Sequence, residues 1–86
     1  MFVEEYLKGQ KRELERKKIS LENDITSRVE VMSEVLGYPN LEERDCNVMI
    51  RYIAEEQKRD IGKLNIINSR LSSVSRFLRA ISHNQG

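Results

Sequence analysis

Mostly apolar residues recur along this chain in two runs, one ending just before Gly37 and the other beginning just after Asn40. Both runs alternate steps of three and four residues, a spacing that places side chains on one face of an α-helix, as in the heptads of a coiled coil. The pattern predicts two long helices. The repeating positions, which we call the seam, are 4, 7, 11, 14, 18, 21, 25, 28, 32 and 35 in the first run and 46, 50, 53, 57, 60, 64, 67, 71, 74, 78 and 81 in the second.

The stretch between the two runs contains residues that end one helix and begin another. Gly37 can close a helix in the left-handed conformation, and Pro39 cannot continue one. Asn40 is a favourable N-cap, and Glu43, three residues later, can return a hydrogen bond as in a capping box. The chain is therefore expected to form one helical domain over 1–86, with a helix at about 3–36, a turn at 37–40, a helix at about 41–82 and a frayed tail at 83–86.

Folding the chain at this turn lays the two seams side by side in a long antiparallel two-helix hairpin. Facing residues then lie about equally far from position 39, which places Lys18 beside Asp60 and Leu21 beside Gln57. A charged pair in an apolar seam fixes the register of two helices more than it stabilises them. The alternative is a three-helix bundle with a break near Gly62, because glycine inside a helix costs about 1 kcal/mol relative to alanine.

The apolar stripe of the second helix is wider than its seam. Between Leu64 and Ile81, with Ile66 and Phe77 included, the stripe spans roughly 160° of the helix. A hairpin covers only one side of each helix, so this stripe needs a further surface. We expect two copies of the chain to dimerise into a four-helix bundle, or a helix of a partner protein to dock there. The candidate contact residues are Ile66, Leu71, Val74, Phe77 and Leu78.

The composition agrees with extended helices and a non-membrane protein. Of the 86 residues, 34% are charged and 6% are aromatic, and proline occurs once. No apolar run approaches the roughly 18 residues that span a bilayer. Glu4 and Glu5 stand where a targeting segment would need basic and then apolar residues. The single Cys46 excludes an intramolecular disulfide, and a cytoplasmic location is therefore the expectation.

The net charge of +1 conceals an uneven distribution along the rod. Residues 1–20 and 58–86 together carry twelve basic and five acidic side chains, whereas residues 21–57 carry three basic and nine acidic ones. In a hairpin, the end with both termini is then net +7 and the turn end net −6. Such a field can orient a charged partner. The predicted basic end comprises Lys8, Lys11, Arg12, Arg16, Lys63, Arg70, Arg76 and Arg79.

This basic end suggests an alternative function, the binding of nucleic-acid phosphates. Glu13 and Glu15 interrupt its first basic run, no aromatic residue is interleaved for base stacking, and no recognised DNA-binding motif is present, so nucleic acid is not the favoured partner. Residues 63–82 are also amphipathic in the manner of a membrane-surface helix. Their strict heptad favours packing against protein over binding to a lipid surface.

The sequence offers no catalytic, cofactor or metal site. His83 and Cys46 are single residues of their types, and the helix between them separates them by about 55 Å, so they cannot act together. Zinc-ligand spacings and glycine-rich phosphate loops are absent. We therefore expect a small non-enzymatic protein–protein interaction module, such as an adaptor, assembly subunit or regulator, that uses no cofactor.

Overall fold

The computed structural model describes residues 2–85, which form two antiparallel α-helices joined by a short connection. Helix α1 spans Phe2–Gly37 and helix α2 spans Glu43–Gln85. The hairpin is a rod that measures 65 × 16 × 14 Å. No strand occurs in this part of the chain. The predicted all-α helical hairpin is confirmed.

The seam is the face that the two helices bury against each other. Every seam position is buried or half-buried, while nearly all other described side chains are exposed. The most protected apolar residues are Leu14, Val35, Ile53 and Ile67, with 9% exposure or less. Hydrophobic burial along a single stripe therefore holds the hairpin together, because each helix turns only that stripe toward the other.

Helix α2 continues without interruption through Gly62, so the three-helix alternative is wrong. A Cβ atom placed at Gly62 would meet no atom within 4 Å, so close packing does not require a glycine there. The seam keeps its phase on both sides of Gly62. Continuous helical hydrogen bonding and seam burial outweigh the cost of about 1 kcal/mol for one glycine.

The connection differs from the predicted turn at both of its ends. Gly37 stays within α1 without the left-handed φ expected of it. Helix α2 begins two residues later than predicted, and the N–H of Cys46 donates to the carbonyl of Glu42 at 3.0 Å, which makes Glu42 the N-cap. Asn40 is therefore not the cap. It lies in a turn with Pro39, and the restricted φ of proline favours that turn.

The end of α2 also differs from the prediction of a frayed tail. The helix continues through His83 to Gln85, because no glycine or proline interrupts residues 63–85. Gly86, the last residue of the predicted tail, lies outside the described residues.

The two helices pair about one helical turn away from the predicted register. Gln57 contacts the backbone of Ile25, four residues along α1 from the predicted neighbour Leu21. The connection explains this shift, because its non-helical residues 38–42 extend further toward the C-terminus than the predicted turn. The point about which the chain folds back therefore moves from position 39 toward α2.

Candidate functional site

A group of polar side chains crosses the seam between the two helices. Arg28 on α1 contacts Asp60 at 2.5 Å and Glu56 at 3.2 Å, and it donates a hydrogen bond to Gln57 at 3.3 Å. Gln57 in turn donates to the backbone carbonyl of Ile25 at 2.8 Å. Asp60 is buried, with 7% of its surface exposed. We call these four side chains, Arg28, Glu56, Gln57 and Asp60, the polar cluster.

The polar cluster corrects the predicted pairing of Asp60 with Lys18, because Arg28 takes that role. The hydrogen bond to Asp60 is the main reason that the pKa of Arg28 lies above its ordinary value. Partial burial opposes this rise, and the charges of Asp60, Glu56 and Asp24 add to it. Arg28 is therefore a cation at every ordinary pH. The arrangement is typical of a structural contact that defines register.

A groove runs along one side of the half of the rod that contains both termini, which we call the terminal half (residues 2–21 and 63–83). Two adjoining cavities of about 620 and 400 Å³ make up the groove and share Leu14, Lys17 and Arg70. The floor of the groove consists of seam residues from both helices. These are Leu7, Leu14, Leu21, Ile67 and Val74.

Three large apolar side chains border the groove, and they are mostly exposed. Tyr6 is 66% exposed, Ile66 is 56% exposed and Phe77 is 63% exposed. We call them the terminal cluster. Large exposed apolar side chains beside a groove are typical of interaction sites. The other three predicted contact residues are half-buried in the seam, where they belong to the hairpin itself: Leu71, Val74 and Leu78.

The side of the rod that bears the groove, the groove face, continues into the loop half (residues 22–62). Val31 lies two heptads after the groove residue Lys17, and Tyr52 lies two heptads before the groove residue Ile66. Residues at whole-heptad spacing share a helix face, as do residues three apart such as Met49 and Tyr52. Val31, Met49 and Tyr52 are exposed by 43%, 44% and 64%, and we call them the loop cluster.

The sequence prediction did not include Tyr6 or Lys17 among the contact residues. Both border the groove from α1, whereas the predicted stripe lay on the second helix alone. The information was present in their spacing, because both residues stand one position before a seam residue, as Ile66 and Phe77 on α2 do. Treating the two flanks of both seams together would have found them.

The side chains of the predicted basic end lie on different sides of the rod. Lys63 and Arg70 line the groove, whereas Lys8 and Arg79 border a separate depression beside the opposite flank of the seam. Lys8 also forms an ion pair with Glu4 at 3.2 Å. Lys11 borders the same depression as Lys8 and Arg79, and Arg12 and Arg16 are exposed on α1. Arg76 lines a further cavity of about 400 Å³ beside Phe77.

Within residues 2–85, no group of three or more His, Cys, Asp or Glu side chains is placed to hold a metal ion. Cys46 and His83 lie near opposite ends of the continuous α2, about 55 Å apart at the rise of an α-helix. Neither described helix has an apolar stretch long enough to cross a membrane.

The chain is an all-α helical hairpin, and it carries two exposed apolar clusters on its groove face. The chain matches no protein-family model, no curated protein and no solved structure.

Proposed function

We propose that this chain is a non-enzymatic protein–protein interaction module, an adaptor, assembly subunit or regulator that binds its partner through the groove face. The observation that carries this proposal is the exposed terminal cluster of Tyr6, Ile66 and Phe77 beside an apolar groove. Helical partners bind such grooves by inserting an apolar face. Moving one large apolar side chain from water to a fully buried site is favourable by about 1.5–3 kcal/mol.

The accessible surface of the chain supports the same function. The hairpin exposes 7066 Å², whereas a compact monomer of 10.1 kDa exposes roughly 5,300 Å². The difference of about 1,800 Å² exceeds the roughly 800 Å² that each partner buries in a standard protein–protein interface. Self-association into a four-helix bundle is one form that the proposed interaction can take, because two hairpins can cover each other's apolar faces.

Site-specific photo-cross-linking in intact cells tests this function. A photoreactive phenylalanine analogue at Phe77 should give adducts of discrete mass, formed with another copy of the chain or with a different protein. The matched control is Val48, which is 60% exposed but lies on the outer side of α2, away from the seam. If position 77 gives no more adduct than position 48, the groove face is not an interaction surface and the proposed function is wrong.

The alternative is a nucleic-acid-associated regulator that contacts phosphates with its basic end. The observation in its favour is the net charge of +7 on residues 1–20 and 58–86. The division of Lys8 and Lys63 between opposite flanks weakens this alternative, because a phosphate backbone follows one continuous basic surface. Measuring binding to a non-specific nucleic-acid duplex over a range of salt concentrations distinguishes the two functions. Binding that falls steeply as salt rises supports the nucleic-acid alternative, and no binding at low salt excludes it.

A further inference from the structure

We infer that the partner of the groove face is a second copy of this chain, bound in antiparallel orientation, so that Tyr6 and Phe77 of each copy pack on the loop cluster of the other. This deepens the proposed function and rests on it, because the groove face must first be an interaction surface.

The groove face has the area that a dimer needs. A standard interface covers about 800 Å² of each partner. The rod is 65 Å long and 16 Å wide, so one face presents roughly 1,000 Å² in projection, and only overlap along most of its length reaches the standard area. A second copy has this length and the same apolar groove, so it covers the face from end to end.

The two apolar clusters lie at similar distances from the middle of the rod. Position 64 is the midpoint of α2, Phe77 follows it by thirteen residues and Tyr52 precedes it by twelve. Both side chains therefore lie about 18–20 Å from the middle. A two-fold axis perpendicular to the rod at its middle places Phe77 of one copy over Tyr52 of the other. Ile66, two residues from the midpoint, then meets its own counterpart near the axis.

Apolar burial alone also permits a parallel dimer, and charge distinguishes the two orientations. On the groove face, Arg70 lies six residues after the midpoint of α2, and Glu56 lies eight before it. Asp24 precedes Ile25, whose carbonyl bonds Gln57, so Asp24 lies at the same level as Glu56. Antiparallel packing therefore places Arg70 of each copy near Glu56 and Asp24 of the other copy. Glu56 also pairs with Arg28 of its own chain, and Arg59, one heptad before Ile66, lies at the same level, so the orientation rests mainly on the net charges of the two ends. Antiparallel packing sets the net +7 end of one copy on the net −6 end of the other, whereas parallel packing sets like charges together.

A distance between spin labels tests both the partner and its orientation. The labelled chain is the full-length Cys46→Ser, Ser82→Cys variant, in which serine keeps the small polar donor at position 46 and the label stands on an exposed residue off the groove face. Position 82 lies eighteen residues from the midpoint of α2. An antiparallel dimer should therefore give an intermolecular distance of about 55 Å. A parallel dimer should give at most about 30 Å, the width of two rods.

A distance below about 30 Å overturns the orientation, and the absence of any intermolecular distance at micromolar concentration overturns the second copy as partner. Neither result overturns the proposed function, because cross-links from position 77 to a different protein would still support an interaction module. Conversely, position 77 giving no more adduct than position 48 removes the function together with this inference. The two failures are therefore distinguishable.

A charge exchange tests the predicted contact between Arg70 and Asp24 of the other copy. Arg70→Glu and Asp24→Lys should each weaken dimerisation about tenfold. The two substitutions combined in one chain should restore dimerisation, because each new side chain then faces an opposite charge on the other copy. Sedimentation equilibrium measures the dissociation constant. Arg79→Glu is the matched control, since it makes the same charge change on the opposite flank and should leave dimerisation unchanged. Equal weakening by the control, or no restoration by the pair, contradicts the antiparallel contact.

Discussion

The loop half and the terminal half of the hairpin share one apolar seam, which buries Val35 and Ile53 in the loop half and Leu14 and Ile67 in the terminal half, but they differ in the polar contacts that join the helices. Among residues 2–83, every hydrogen bond and ion pair that joins the two helices lies in the loop half, where Arg28 meets Asp60 and Gln57. In the terminal half, the seam consists of apolar contacts around residues such as Leu14 and Ile67, and it opens on one side into the groove.

The two halves of the rod therefore have different roles, one in defining the register of the helices and one in presenting apolar surface. Hydrogen bonds and ion pairs are directional, so the polar cluster favours one register of the two helices. Apolar contacts are less directional and depend on the area removed from water. The terminal half therefore retains apolar surface that a partner can cover without disturbing the register set in the loop half.

The largest expected effect is the loss of a buried side chain from the apolar part of the seam. Leu14 is 8% exposed and lies beside Ile67 in the groove floor. Leu14→Ala should lower the free energy of unfolding by about 2–3 kcal/mol, near the lower end for buried leucines because the site is open on one side. Urea unfolding at a fixed protein concentration measures this change.

The matched control for Leu14→Ala is Ile19→Ala, at a site that is 59% exposed on the same helix. This control should change the free energy of unfolding by no more than about 0.5 kcal/mol. Similar losses for the two variants would show that the seam of the terminal half contributes no more to stability than its surface does. The contrast between the two halves would then need another explanation.

The next effect concerns the polar cluster. Asp60→Ala removes the main partner of Arg28. Because Arg28 is partly solvated, this variant should destabilise the hairpin by less than Leu14→Ala does. The double variant Arg28→Met, Asp60→Leu should recover most of this stability, because no unpaired charge is left at the seam. If the double variant is instead less stable than either single one, the ion pair contributes more to stability than to register.

The same double variant tests whether the polar cluster defines the register. Spin labels at the exposed positions Ser27 and Glu55, which flank the cluster on the two helices, should show a narrow distance distribution in a chain whose only other change is Cys46→Ser. Replacement of Arg28 and Asp60 by apolar residues should broaden that distribution, since an apolar seam tolerates sliding. An equally narrow distribution would mean that the connection and the apolar seam alone define the register.

The sequence predicted the seam position by position, whereas it misplaced the connection and the register. Heptad spacing is a local property of each helix, so it can be recognised without knowing what the helix packs against. Register is not local, because sliding one helix by about a turn keeps both seams in contact. The choice of Lys18 over Arg28 as the partner of Asp60 followed from this degeneracy. The groove was missed on its α1 side because Tyr6 becomes meaningful only beside Phe77, seventy-one residues later.

The smallest expected effect compares the two halves through their glycines. Gly9 lies in the terminal half and Gly62 at the edge of the loop half, and at neither would an added Cβ meet an atom within 4 Å. Each glycine-to-alanine substitution should therefore stabilise its helix by about 0.5–1 kcal/mol. Urea unfolding should show equal gains if the hairpin unfolds as one cooperative unit.

Unequal gains would sharpen the contrast between the halves. If the terminal half opens before the rest, Gly9→Ala should slow hydrogen exchange of its amides while leaving the global free energy of unfolding nearly unchanged. Gly62→Ala should then account for most of the global gain, because α2 spans both halves as one helix. A loss of stability in Gly62→Ala would contradict a continuous α2, since an alanine fits every position of an unbroken, uncrowded helix.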